Sequence, residues 1–179
     1  MEKLYLIRHC KAKGQARDAE LTTEGFAQAH ELADLLVNEA IEKIICSPFL
    51  RTIQTIKPLA QRLNLDIDIE DRLSERILSG ENLDDWLDHL RASFDDIDLC
   101  LPGGESSREA MQRIVSVHDD LSITDHERVA LVTHGNLMAL LLNHFDNRFG
   151  FEQWQSLSNP DVYCISGFNR TLRIQRIWT

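Results

Sequence analysis

With 179 residues, of which 43% are apolar and 27% charged, the chain can bury one sizeable core and reads as a single domain over 1–179. A formal net charge of −10 disfavours nucleic acid and anionic membrane as partners, so any basic cluster must act locally on a small anion. No apolar run is long enough to cross a bilayer, and the first residues lack the apolar segment of a cleavable signal, so a cytoplasmic protein is expected. Cys10, Cys46, Cys100 and Cys164 are scattered without C-x-x-C spacing, which argues against disulfides and against a zinc site.

In chain order, the run from Lys3 to Ile7 predicts a strand that delivers Arg8-His9-Cys10 to its end, followed by a basic loop with Lys11, Lys13 and Gly14. Strand ends are where open α/β sheets keep their chemistry. A helix is predicted from Thr22, a good N-cap, with Phe26, Ala29, Ala33, Leu36 and Ala40 on one face and His30 on the surface. The run from Ile41 to Cys46 predicts a second strand, ended by Ser47-Pro48. Pro48 is expected at a first helical position, Arg51 in the first turn, and Pro58 at a kink or break. The alternation from Asp66 to Glu70 predicts a short edge strand with its acidic residues facing water. Glu75 follows, and by itself it could be any surface carboxylate.

Further along, Trp86, Leu87, Leu90 and Phe94 describe an amphipathic helix, either a cap beside a site, within a segment around 76–105, or a solvated surface helix. His89 should be exposed. After the Pro102-Gly103-Gly104 turn, Ser106 to Glu109 form a capping box that opens a helix with Ala110, Ile114, Val117 and Leu121 inside. The nearly continuous apolar run from Arg128 to Val132 predicts a central strand covered on both faces. Thr133-His134-Gly135 then leads into a helix from Leu137 to His144, where backbone N–H groups favour an anion. Val162–Phe168 and Thr171–Ile177 are expected to form a closing hairpin across Asn169-Arg170. Alternating strands and helices predict a three-layer α/β/α sandwich with a mostly parallel central sheet and an antiparallel edge.

Three predicted strand ends thus present two arginines and two histidines. The order Arg8-His9, Leu21-Thr22 with Gly25, Ser47-Pro48 with Arg51 and Thr55, Leu73 with Glu75, Gly103-Gly104-Glu105-Ser106, and Thr133-His134-Gly135 resembles the histidine phosphatase superfamily, also called phosphoglycerate mutase-like. The resemblance runs from end to end and departs at Cys10, where the family usually has glycine. It implies a phosphomonoester hydrolase in which His9 is the nucleophile that becomes a phosphohistidine. Arg8, Arg51 and His134 would hold the phosphoryl oxygens, Gln15 would add a phosphate contact, and Glu75 would protonate the leaving oxygen. No cofactor and no metal is implied. A metal site made of His9, His134 and Glu75 is the competing reading, but two adjacent guanidiniums would repel a dication.

A phosphoglycerate-mutase-type phosphomutase and a non-catalytic phosphate-binding module are the alternatives. The expected partner is a small phosphorylated substrate, with a phosphoprotein also compatible, and the sequence leaves the oligomeric state open. Cys10 admits two readings. It is either a small residue pointing away from the site, or a partly exposed thiol whose thiolate Arg8, Lys11 and Arg51 would favour, and which peroxide would oxidise.

Overall fold

The computed structural model describes residues 1–168 and 171–178. One six-stranded sheet has the order β3-β2-β4-β1-β5-β6, with β1 Lys3–Arg8, β2 Lys43–Cys46, β3 Ile67–Ile69, β4 Arg128–Thr133, β5 Asp161–Ser166 and β6 Arg173–Arg176. The first four strands pair in parallel, and β5 runs antiparallel to both of its neighbours, β1 and β6. Because side chains alternate along a strand, Leu4, Leu6, Val129 and Leu131 face one way and Tyr5, Ile7, Ala130 and Val132 the other. The first set packs on α4 (Ser107–Ser122) and α5 (Gly135–Phe145), and the second on α1 (Thr23–Leu36) and α2 (Leu50–Leu63). This is the expected three-layer sandwich with its antiparallel edge.

Several local expectations need correction. Helix α1 starts as predicted, Thr22 accepting from the Gly25 N–H, but its buried face runs through Gly25, Ala29, Leu32, Ala33 and Leu36, leaving Phe26 44% exposed. Gly25 sets that face: a Cβ there would sit 2.1 Å from the Lys11 carbonyl oxygen, so the helix can approach the β1 loop only along a bare glycine. Ala40 lies beyond the helix, exposed, at a φ of 51°. The N-cap of α2 is Phe49, so Pro48 precedes the helix instead of opening it. Pro58 does not divide α2; Ile56 and Leu59, fully buried on either side of it, keep both halves against the sheet.

The capping box at Ser106 and Glu109 is formed, and β3 is the predicted edge strand, with Asp68 paired to Lys43. The strands of the closing hairpin pair antiparallel, and its expected turn at Asn169-Arg170 lies outside the described residues. The amphipathic helix is α3 (Trp86–Asp95), which contacts a short helix that the sequence pattern did not announce, α6 (Phe151–Gln155). Phe94 and Trp86 meet Phe151 and Trp154 edge-on, at 6.1 and 6.4 Å between ring centroids.

Candidate active site

Register brings the chemistry-bearing residues together. Arg8 lies opposite Thr133 at the ends of β1 and β4, the His9 N–H donates to the Thr133 carbonyl, and the Ser47 N–H donates to the Val132 carbonyl. The carboxyl ends of β1, β2 and β4 therefore stop level with one another, and a cavity of about 1020 Å³ opens above them. Arg8, His9, Gln15, Arg51 and Glu75 line it, while His134, fully buried, stands behind His9 and Arg51.

The tautomer of His9 follows from its contacts. Its Nδ1 lies 2.7 Å from the Cys10 carbonyl oxygen, which can only accept, so Nδ1 carries the hydrogen. Nε2 then holds the lone pair, which accepts from the Arg51 Nε–H at 3.1 Å. Burial, opposed by that carbonyl and reinforced by the charges of Arg51 and Arg8, pushes the His9 pKa down to about 3. His9 is therefore a neutral imidazole with a fixed lone pair.

Arg51 is nearly fully buried in the first turn of α2. Its Nη1 donates to the Gln15 and Ala16 carbonyls at 3.1 and 2.9 Å, its Nη2 to His134 Nδ1 at 3.2 Å, and its guanidinium lies 4.7 Å from the centre of the Phe49 ring. With Nδ1 accepting from Arg51, His134 donates from Nε2 to the Ser47 hydroxyl at 2.8 Å. Burial, then the neighbouring His9 and Arg51, hold His134 well below the usual histidine range. Gln15 thus contributes its backbone carbonyl to Arg51, with an exposed side chain at the cavity.

On the opposite side, the Arg8 Nη1 donates to the Leu157 and Ser158 carbonyls at 3.0 and 3.3 Å, and its Nε is buried without a partner. Its guanidinium passes so close to α5 that a Cβ on Gly135 would come within 2.9 Å of the Arg8 Cζ; glycine at this position makes room for the cation. Glu75 accepts from the backbone N–H groups of Arg76, Asn136 and Leu137 at 2.9, 3.2 and 3.2 Å, so the first turn of α5 is turned toward a carboxylate of the chain itself.

Cys10 departs from the sharper of its two readings. Its side chain is fully buried with Leu21 and Ala29 under α1, its N–H donates to Thr55, and burial pushes the thiol up to about 12. Lys11, expected to favour a thiolate, pairs instead with Glu24 at 2.6 Å. The backbone at Cys10 does not take a positive φ, so glycine is not required there.

Among the cavity-lining residues that sequence reasoning missed are Asn159, Asn136 and Trp154. The Asn159 side chain donates to the His9 carbonyl at 2.8 Å, and the Asn159-Pro160 pair was readable only as a turn. Asn136 is 7% exposed with both side-chain polar atoms unpartnered, and follows directly on the His134-Gly135 pair. Trp154, on the unannounced α6, had no sequence signal.

The sequence profile of the histidine phosphatase superfamily (branch 1) matches residues 4–177. The chain is 30% identical over 160 residues to a "Probable phosphoglycerate mutase GpmB" of Proteus mirabilis, covering 80% of this chain and 74% of that protein. Its fold is similar to that of a mycobacterial glucosyl-3-phosphoglycerate phosphatase solved with inorganic phosphate, with a TM-score of 0.78 and 23% identity over 99% of this chain and 96% of that one. The α-ribazole phosphatase of Shigella flexneri is similar to the same degree, with a TM-score of 0.78 and 20% identity over 99% and 96% of the two chains.

Proposed function

The chain belongs to the histidine phosphatase superfamily, and on that premise we propose that it is a phosphomonoester hydrolase working through a phosphohistidine on His9. The observation that carries this reading is the state of His9, neutral, with Nδ1–H given to the Cys10 carbonyl and the Nε2 lone pair beside two guanidiniums. A phosphoryl group that displaces the Arg51 Nε–H from that lone pair gains the guanidinium as a ligand and meets the nucleophile in one movement. Nε2 then attacks phosphorus as the ester P–O bond breaks, Arg8 and Arg51 take up charge on the equatorial oxygens, and Glu75 gives a proton to the leaving oxygen.

Water attacks the phosphohistidine in the second half, its proton goes to Glu75, and the N–P bond breaks to return neutral His9 and inorganic phosphate. For His134 to hold a phosphoryl oxygen, the arriving group must draw the Arg51 Nη2–H away from Nδ1, the ring must exchange its Nε2 proton for one on Nδ1, and the Ser47 hydroxyl must turn to donate to Nε2. The segment 76–105 serves as the cap over this centre, and the protein acts in the cytoplasm.

The test is acid-quenched or base-quenched enzyme after incubation with ³²P-labelled substrate. Label that survives base and is lost in acid, present on the wild type and absent from His9→Ala, is expected. Undiminished label on the variant would remove His9 from the reaction.

A further inference from the structure

The cavity above His9 is larger than a phosphoryl group needs, and its far wall differs in chemistry from its floor. Ile77, Leu78, Leu83, Trp86 and Trp154 line that wall, and Ile77 and Trp86 leave 59% and 49% of their surface exposed. Apolar surface left in water beside a catalytic centre marks a place where a ligand is expected to cover it. The volume, about 1020 Å³, stands at the upper end of the roughly 300–1,000 Å³ that encloses drug-sized molecules.

The charges around the cavity narrow the class further. Besides Arg8 and Arg51, the lining cations among the described residues are Lys11, Arg17 and Arg76. Lys11 is paired with Glu24 at 2.6 Å and Arg17 with Asp71 at 3.3 Å. Arg76 is buried, donating to the Ser93 and Ser107 hydroxyls and to the Glu105 carbonyl at 2.8–2.9 Å. A substrate with a second anionic group would have to displace Glu24 or Asp71 from an exposed ion pair to reach Lys11 or Arg17, a small cost for each, and would meet Glu81 on the same wall.

The geometry points to a substrate class: phosphate monoesters whose leaving group is a bulky, uncharged, aromatic alcohol, with the ring against Trp86 and Trp154 and the phosphoryl group on His9. The two indoles stand nearly perpendicular, at 83°, and so present a face and an edge to the same space, which is how aromatic rings pack best. The inference rests on the hydrolase reading above and specifies what that site accepts.

The test compares kcat/KM for ethyl, 2-phenylethyl and 2-(1-naphthyl)ethyl phosphate, whose alkoxides need similar protonation, and for 3-phosphoglycerate. The naphthyl ester is expected to exceed the ethyl ester by about tenfold or more, because only it covers the apolar wall. Trp86→Ala should collapse that ratio through KM. Leu87→Ala, an exposed change on the same helix away from the cavity, should preserve it. Equal kcat/KM across the esters, a preference for 3-phosphoglycerate, or an unchanged ratio in Trp86→Ala would overturn the assignment. p-Nitrophenyl phosphate separates the two levels of failure, since its phenolate leaves without a proton. Wild-type turnover of it with a flat ester series overturns only the substrate class, whereas no turnover overturns the hydrolase reading and with it this inference.

Discussion

The floor and the wall of the cavity are built by opposite means. On the floor, Arg51 donates to two backbone carbonyls and two imidazoles, Arg8 to two further carbonyls, and Glu75 accepts three backbone N–H groups. Every one of these side chains hangs from a strand end or a helix start, or is tied to one by its hydrogen bonds. The wall is made by the loop before α3, by the first turn of that helix and by Trp154 of α6, and apolar side chains give it shape without fixing direction. Geometry that must be right to a fraction of an ångström rests on rigid elements, while the apolar wall rests largely on a loop, the kind of segment that varies most readily.

That contrast can be broken most severely at the floor. Arg51→Ala removes the side chain that donates to both histidines, and kcat should fall by roughly 10²–10³, as for other preorganised donors to a developing charge. Steady-state kinetics with p-nitrophenyl phosphate decide it, and a change confined to KM would mean that Arg51 serves only ground-state binding.

Glu75→Gln gives a smaller and more selective effect. Alkyl phosphates, whose alkoxides need a proton, should slow by about 10²-fold or more, and p-nitrophenyl phosphate far less. Equal losses with both would move the proton donor to another carboxylate.

The mildest test uses pH and leaves the chain unaltered. Folded His9 stays neutral down to about 3, whereas in the unfolded chain it takes a proton below the usual 6.5. As pH falls through that window the unfolded chain binds a proton that the fold refuses, so stability drops, by about 2 kcal/mol at pH 5 from His9 alone. Burial acts in the same direction on His134 and on His118, which lies between Phe145 and Phe168 with its Nε2 unpartnered. Thermal melts should show Tm falling from pH 7 to 5, while kcat/KM of the still-folded enzyme shows no acid limb belonging to His9. A kinetic pKa near 6.5 traced to His9 would show that the imidazole is protonated in the fold.

The floor was far more legible in the sequence than the wall, for a physical reason. Arg8-His9, Arg51 and His134-Gly135 each follow an apolar run, so the pattern that makes a strand also announces where it stops. Glu75 has no such marker; only its place in the family order distinguished it from a surface carboxylate, and the structure adds that it faces the first turn of α5. In the wall only Trp86 belongs to a period, that of α3; Ile77, Leu78 and Leu83 lie in a loop that has none. Trp154 sits on a five-residue helix too short for a pattern, and Phe49, on whose ring Arg51 lies, reads as an ordinary apolar residue after Pro48. The redox reading of Cys10 failed because neighbours in sequence are not neighbours in space: Arg8 and His9 face the cavity while the thiol points beneath α1.

One further consequence follows from the direction of β5. The parallel strands β1, β2 and β4 can contribute only the residues at which the chain leaves the sheet along that rim. By running the other way, β5 offers the residues at which the chain arrives, and the segment 157–160 just before it supplies the carbonyls that grip Arg8 and the amide that grips the backbone of His9. A single reversal gives the rim a second source of parts, reached by a separate stretch of chain. Insertions between α6 and β5 can therefore re-aim Arg8 while the strands that carry His9 and His134 keep their register.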